Sequence, residues 1–169
     1  MRWIPALTLL ASACNAPGYP AKDSAETGNE AASAPGAVTK APAPDFTSLT
    51  GLWEGGQPAT PNQLCMVETA PGTARFGLVV WGGNLHSCSG EGDARRLGGR
   101  LLLTMAGDSK CEIVATISDS AIAFPTSVPD GCAYYCGARA TLTGARFAAR
   151  GSGPDSARKA IDLAGDPLC

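Results

Sequence analysis

Thr73-Ala74-Arg75-Phe76-Gly77-Leu78-Val79-Val80-Trp81, followed by Gly82-Gly83-Asn84, is the stretch whose reading decides the fold. Phe76, Leu78 and Val80 recur at every second position, the period of a β-strand, and so share one face. Val79 and Trp81 fall on the other face, which predicts a strand covered on both sides. Gly82-Gly83-Asn84 offers the positive-φ residues that a hairpin needs. Leu85 to Ser89 then reads as the return strand, carrying His86 and Cys88.

The same punctuation extends in both directions. Upstream, Leu49 to Glu54 and Leu64 to Thr69 read as short strands, the first opening with Gly51-Leu52-Trp53. Downstream, Gly90 to Asp93 reads as a turn. Ala94 to Leu97 reads as a short edge strand, since Arg95 and Arg96 suit an exposed edge. Leu101, Leu103 and Met105 alternate along Arg100 to Met105, and Cys111, Ile113, Ala115 and Ile117 alternate along Cys111 to Ser118. Ala121 to Phe124 is a further short strand, followed by a proline-bearing loop to Asp130. Asp130 to Gly137 reads as a single helical turn with Asp130 as its N-cap. Arg139 to Thr143 and Ala145 to Ala149 read as a last hairpin around Gly144. A helix is expected from Asp155 or Ser156 to about Ala164, with Ala160, Ile161 and Ala164 as its apolar stripe and Gly165 and Pro167 ending it. Many short strands with frequent turns imply an all-β class, a small barrel or sandwich stapled by disulfides, with one short C-terminal helix. Gly51-Leu52-Trp53 is similar to the Gly-X-Trp on the first strand of lipocalin-like barrels, a match three residues long that is compatible with such a barrel. Trp53 itself reads as core, because aromatic burial dominates core energetics.

Cys65, Cys88, Cys111, Cys132, Cys136 and Cys169 are an even set within residues 46–169, and Cys14 is the seventh cysteine of the chain. Six cysteines behind an export signal read as a disulfide framework, and they allow 15 connectivities. A bridge to Cys169, the last residue, would pin an end that otherwise frays.

Cys14 has a different reading. Arg2 is the only charge before Lys22, and Trp3 to Leu10 is an apolar run broken by Pro5 and Thr8. That is a secretory signal over residues 1–13, too short to span a membrane. Leu10-Ala11-Ser12-Ala13-Cys14 resembles the lipobox of bacterial lipoproteins, with Ala11 standing where that family usually has Leu. The resemblance implies a diacylglyceryl group on the Cys14 sulfur, cleavage before Cys14 and an acylated (palmitate-type) new N-terminus. Asn15 at the second mature position implies passage to the outer membrane, facing the periplasm or the surface. Two or more acyl chains anchor a protein stably without a transmembrane helix. The rest of residues 14–45 is rich in Ala, Pro, Ser, Gly and Glu, a composition that cannot offset its ordering entropy and reads as a disordered tether. The remainder, residues 46–169, is the β-rich domain.

Charge and motifs exclude more than they assign. Residues 46–169 hold ten Lys and Arg against eleven Asp and Glu, so no basic excess points to nucleic acid. His86 is the single histidine, and any Ser-His-Asp or Cys-His site has to use it. No Gly-X-Ser-X-Gly elbow accompanies it, and a half-exposed strand residue is the plainer reading. His86, Cys88, Cys132 and Cys136 could supply four zinc ligands, but an oxidising compartment favours disulfides, so no metal or cofactor is expected. Glu91-Gly92-Asp93 lacks the ligand number of a calcium loop. Arg139, Arg146, Arg150 and Arg158 read as solvated charges. Tyr134 and Tyr135 lie between two anchored cysteines, a rigid aromatic tip suited to a protein contact.

These features point to an envelope lipoprotein with a non-enzymatic binding or interaction domain. Its expected partners are the membrane, through its anchor, and an envelope or host protein. In size and disulfide content it resembles, at fold level, the small β-barrel lipoproteins that inhibit host lysozyme. Two alternatives accompany this reading. One is a barrel holding a small apolar ligand between Phe76, Leu78, Val80, Leu101 and Leu103. The other is an envelope hydrolase using His86.

Overall fold

The computed structural model describes residues 48–107 and 110–169. The expected signal peptide, Cys14 and the tether lie outside the described residues. Eight antiparallel strands run β1 (Gly51–Gln57), β2 (Thr60–Ala70), β3 (Thr73–Trp81), β4 (Ser87–Leu97), β5 (Arg100–Met105), β6 (Glu112–Ile117), β7 (Ala121–Ala123) and β8 (Arg146–Ser152). Each pairs with the next and β8 returns to β1, so the sheet is a closed up-and-down barrel. The all-β expectation holds, and of its two architectures the barrel is the one adopted.

The period-two signal decides which side chains fill the barrel. Phe76, Leu78 and Val80 on β3, Leu101, Leu103 and Met105 on β5 and Ile113, Ala115 and Ile117 on β6 all belong to one buried cluster. Trp53, Leu64, Met66, Ile122 and Phe147 complete it, and Phe147 meets Phe124 with ring centroids 5.3 Å apart. Eight strands leave an interior just wide enough for side chains to fill.

β4 differs most from the sequence reading. It is a single eleven-residue strand from Ser87 to Leu97. The expected return strand, turn at Gly90–Asp93 and edge strand at Ala94–Leu97 merge into it. Gly90 and Gly92 are interior strand positions where a side chain would not fit. A Cβ on Gly92 would lie 2.9 Å from the Phe76 ring and 3.0 Å from the Met105 backbone, and one on Gly90 would run into the Met105 side chain. Small residues opposite large ones are how a narrow barrel accommodates its core. Closure also removes the edge that Arg95 and Arg96 had suggested. The turn after Trp81 is a tight turn closed by His86 N–H to the Gly83 carbonyl, with Asn84 and Leu85 both at positive φ.

Two other expectations change near the C-terminus. The last hairpin does not form: of its two strands only β8 is present, and residues 124–145 cross one end of the barrel as a long loop. The C-terminal helix shrinks to α1 (Pro154–Ala157), four residues long. Tertiary bonds stop it, because Ile161 N–H donates to Gln63 Oε1 and Leu168 N–H to the Ala160 carbonyl. Residues 153–169 instead form a strap over the outside of β1–β3. Ala157 and Ala160 are buried there with Leu52 and Cys65, and Ala164 and Ile161 are exposed. The Cys65–Cys169 disulfide fixes its end. Gly77 makes room for it, since a Cβ there would overlap Leu168.

The up-and-down order gives the barrel two distinct ends. The turns after β1, β3, β5 and β7 share one end, called the loop end below. The chain enters β1 at the other, the entry end, together with the turns after β2, β4 and β6. Glu68 clamps the entering chain. Its carboxylate accepts from Ser48 Oγ at 2.6 Å and from Gly72 N–H at 2.7 Å, while Glu68 N–H donates to Thr50 Oγ1. The Ser48 bond first, then the Gly72 and Leu49 amides and the Arg96 charge, outweigh burial and hold its pKa below the ordinary 4.5.

A group with a depressed folded pKa stabilises fully above its unfolded value and stops doing so as pH falls through the folded one. Glu68→Gln should therefore cost about 1–2 kcal/mol at neutral pH, from weakened charge-assisted bonds. Parent and variant should converge as pH drops below about 4.5 and through the lower folded pKa. Urea melts across pH 2–7 check this, with a pH-independent gap counting against it.

Candidate functional site

The loop end is built by residues 124–145, longer than most connections in a compact domain, and loops of such length are usually functional. Its base is closed by Phe124 N–H to the Ala145 carbonyl and Gly144 N–H to the Pro125 carbonyl. Leu142 is buried beneath it. At its crown lies a 3₁₀ turn over Asp130–Tyr135. Pro129, not Asp130, holds the N-cap position, because Cys132 N–H bonds to the Pro129 carbonyl.

Two disulfides clamp this turn to opposite neighbours. Cys132 is bonded to Cys111, just before β6, and Cys136 to Cys88 near the start of β4. Gly137 N–H donates to the Ser87 carbonyl and Gly83 N–H to the Arg139 carbonyl, joining the loop to the β3–β4 turn. Gly82 permits that contact, since a Cβ would overlap the Arg139 carbonyl and Ala140.

Clamping separates the two tyrosines. Tyr135 is half-buried, its ring lying against Gly90 and its hydroxyl donating to the Ala106 carbonyl at 2.8 Å. Tyr134 is 81% exposed and meets Tyr135 edge-on at 5.2 Å between centroids. Tyr135 is thus the anchor and Tyr134 the presented ring. Beside the turn, Val128, Asp130, Ala140, Thr141 and Thr143 line part of an open cleft of about 410 Å³.

Sequence reading missed Leu85 at this end. The return strand expected from Leu85 begins at Ser87, and Leu85 is 72% exposed and follows Asn84 in left-handed conformation, with φ of 59° after 55°. A left-handed non-glycine costs roughly 1–2 kcal/mol, and Asn tolerates it better than Leu. The turn is held by Gly82 N–H to the His86 carbonyl and His86 N–H to the Gly83 carbonyl. The Gly-Gly-Asn run signals a turn, and that turn continues through Leu85 and His86 before β4 begins at Ser87.

The other candidates separate. His86 follows this turn, partly buried, its ring near Gly137. Among the described residues no hydroxyl or carboxylate hydrogen-bonds its ring, and no three His, Cys, Asp or Glu side chains converge as a metal site. Cys88, Cys132 and Cys136 are held in disulfides and are not thiolate ligands. Phe76, Leu78, Val80, Leu101 and Leu103 pack on one another as core. Glu91 and Asp93 lie on the β4 wall, not in a loop, and face Arg75 at 3.9 and 3.7 Å. Of the four late arginines, Arg146 and Arg150 line one shallow cleft with Glu54, with which Arg150 pairs at 3.2 Å, and Arg158 pairs with Asp155. No protein-family model, curated protein or solved structure matches the chain.

Leu85→Gly should raise stability by about 1 kcal/mol, since glycine adopts this conformation without the Cβ penalty. A thermal melt reads the gain. A drop instead would mean that the exposed leucine makes contacts within the fold.

Proposed function

We propose that this protein is a cell-envelope lipoprotein, anchored through an acylated Cys14, whose barrel is a binding module that presents its loop end to a protein partner. The observation carrying the reading is Tyr134, 81% exposed on a turn fixed by two disulfides. A large ring held rigid by its backbone offers contact area at small entropic cost. Three disulfides suit an oxidising compartment, in line with an exported chain. The described chain begins at Ser48, at the entry end and opposite the loop end.

The partner class favoured is a host lysozyme, by the fold-level likeness of a small disulfide-bonded barrel. Fold alone does not assign function, so the test is direct. Purified protein in excess should slow turnover by a c-type lysozyme. Tyr134→Ala should weaken that effect about 30-fold or more, as expected for an interface hot spot, with an unchanged melting temperature. No slowing by the parent would end the inhibitor reading. The anchor is tested separately by mass spectrometry of the mature N-terminus from cells, where an unmodified residue at that position would sink it.

A further inference from the structure

The strap covers the outer face of β1–β3, and the wall formed by β4, β5 and β6 carries no such cover in the described chain. Near the entry end this wall presents a patch of mixed character. Arg95 and Leu97 point outward from β4, Arg100 and Leu102 from β5, and Val114 from β6, each alternating with a buried or inward neighbour. Register makes them one surface: Leu97 faces Arg100, Arg95 faces Leu102, and Leu102 faces Val114. Cross-strand partners on one face have Cβ atoms about 4.5–5.5 Å apart. Leu97 is 46% and Val114 45% exposed.

The charges on this patch are uncommitted. Among the described residues, no ion pair involves Arg95 or Arg100. The acids of this wall lie farther from the tip: Asp93 pairs with Arg75, and Glu112, which accepts from Thr104 and keeps its charge, faces Thr104 rather than either arginine. The tip beyond Leu97 is Gly98-Gly99, with open space around both.

The hairpin is also joined to the point where the chain enters. Arg96 N–H donates to the Gly72 carbonyl, Gly72 N–H donates to Glu68, and Glu68 accepts from Ser48. The described chain therefore begins, at Ser48, on the side of the barrel where this tip lies.

We propose that the outer face of the β4–β5 hairpin, with Val114, docks on an anionic phospholipid surface. Leu97 enters the headgroup region with Leu102 and Val114 behind it, and Arg95 and Arg100 pair with lipid phosphates. The orientation rests on the lipid-anchor reading; the affinity does not. Apolar groups flanked by arginines are what interfacial binding requires. Each cation near such a surface strengthens adsorption about fivefold, and salt screens the effect. A face of this kind would hold the barrel with its loop end turned away from the lipid.

The test uses residues 14–169 carrying Cys14→Ser, so that neither an acyl chain nor the apolar run Trp3–Leu10 contributes, sedimented with vesicles of phosphatidylcholine with or without phosphatidylglycerol. The parent should favour the phosphatidylglycerol vesicles and lose that preference at high salt. The R95Q/L97S/R100Q variant of the same length should bind them at least about 10-fold more weakly, with an unchanged melting curve. Equal binding of parent and variant, or no preference for the anionic lipid, would overturn the proposal. A parent that is dimeric without lipid and a variant that is monomeric would reassign the face to a second copy and overturn it too. An unacylated Cys14 in cells would remove the anchor reading and leave these vesicle results standing.

Discussion

Closure of β8 on β1 is the constraint on which the rest of this structure depends. An open sheet of eight strands would leave two edges whose backbone groups invite pairing with other chains. Here the two strands join by antiparallel pairing with a register shift between Leu52 and Trp53. Backbones approach closely at that junction. A Cβ on Gly51 would overlap the Gly151 carbonyl, and one on Gly55 would overlap the Arg146 carbonyl. Glycine is thus required where the barrel shuts, and Trp53 is buried between them in sequence, next to the shift. The Gly-X-Trp at the start of the domain therefore has a steric meaning here whatever its ancestry.

Closure also settles what the cysteines do. Once the interior is filled by its own side chains, disulfides are not needed to create a core. They hold the two segments that the barrel does not. Cys65–Cys169 closes 104 residues of separation and ties down the strap, while Cys111–Cys132 and Cys88–Cys136 tie the long loop to β6 and β4. Bridging residues far apart in the chain removes the most freedom from the unfolded state, in the chain-entropy account. Two of three bridges are spent on one loop. That concentration, rather than any catalytic grouping, marks the loop end as the place where fixed geometry is maintained.

Legibility in the sequence followed the physics of each element. The half-alternating strands β3, β5 and β6 were readable because a two-residue period leaves few other structures available. β4 was not, because Gly90 and Gly92 carry the usual signal of a turn; their real cause, crowding by Met105, Tyr135 and Phe76, is tertiary. The C-terminal helix failed for a similar reason. Its local propensity was sound, but Gln63 and Cys65, about a hundred residues away, hold the segment in another shape. At the candidate site, Tyr134 and Tyr135 were findable from their flanking cysteines, yet which ring would be buried depended on a glycine in β4. Leu85 and the Arg95–Val114 wall had no linear signature, since one is a backbone conformation and the other a register.

The two ends of the barrel bear opposite kinds of order. At the entry end, the described contacts are side chain to backbone and centred on one carboxylate, Glu68, which links Ser48, Thr50 and the β2–β3 turn. Such bonds are sensitive to acid, because they weaken once Glu68 is protonated. At the loop end, covalent bonds fix the turn that carries Tyr134, a form of order indifferent to pH. Under the proposed reading, in which the loop end meets a partner, rigidity belongs at the loop end, because only ordering completed before binding escapes the entropic cost at the moment of contact.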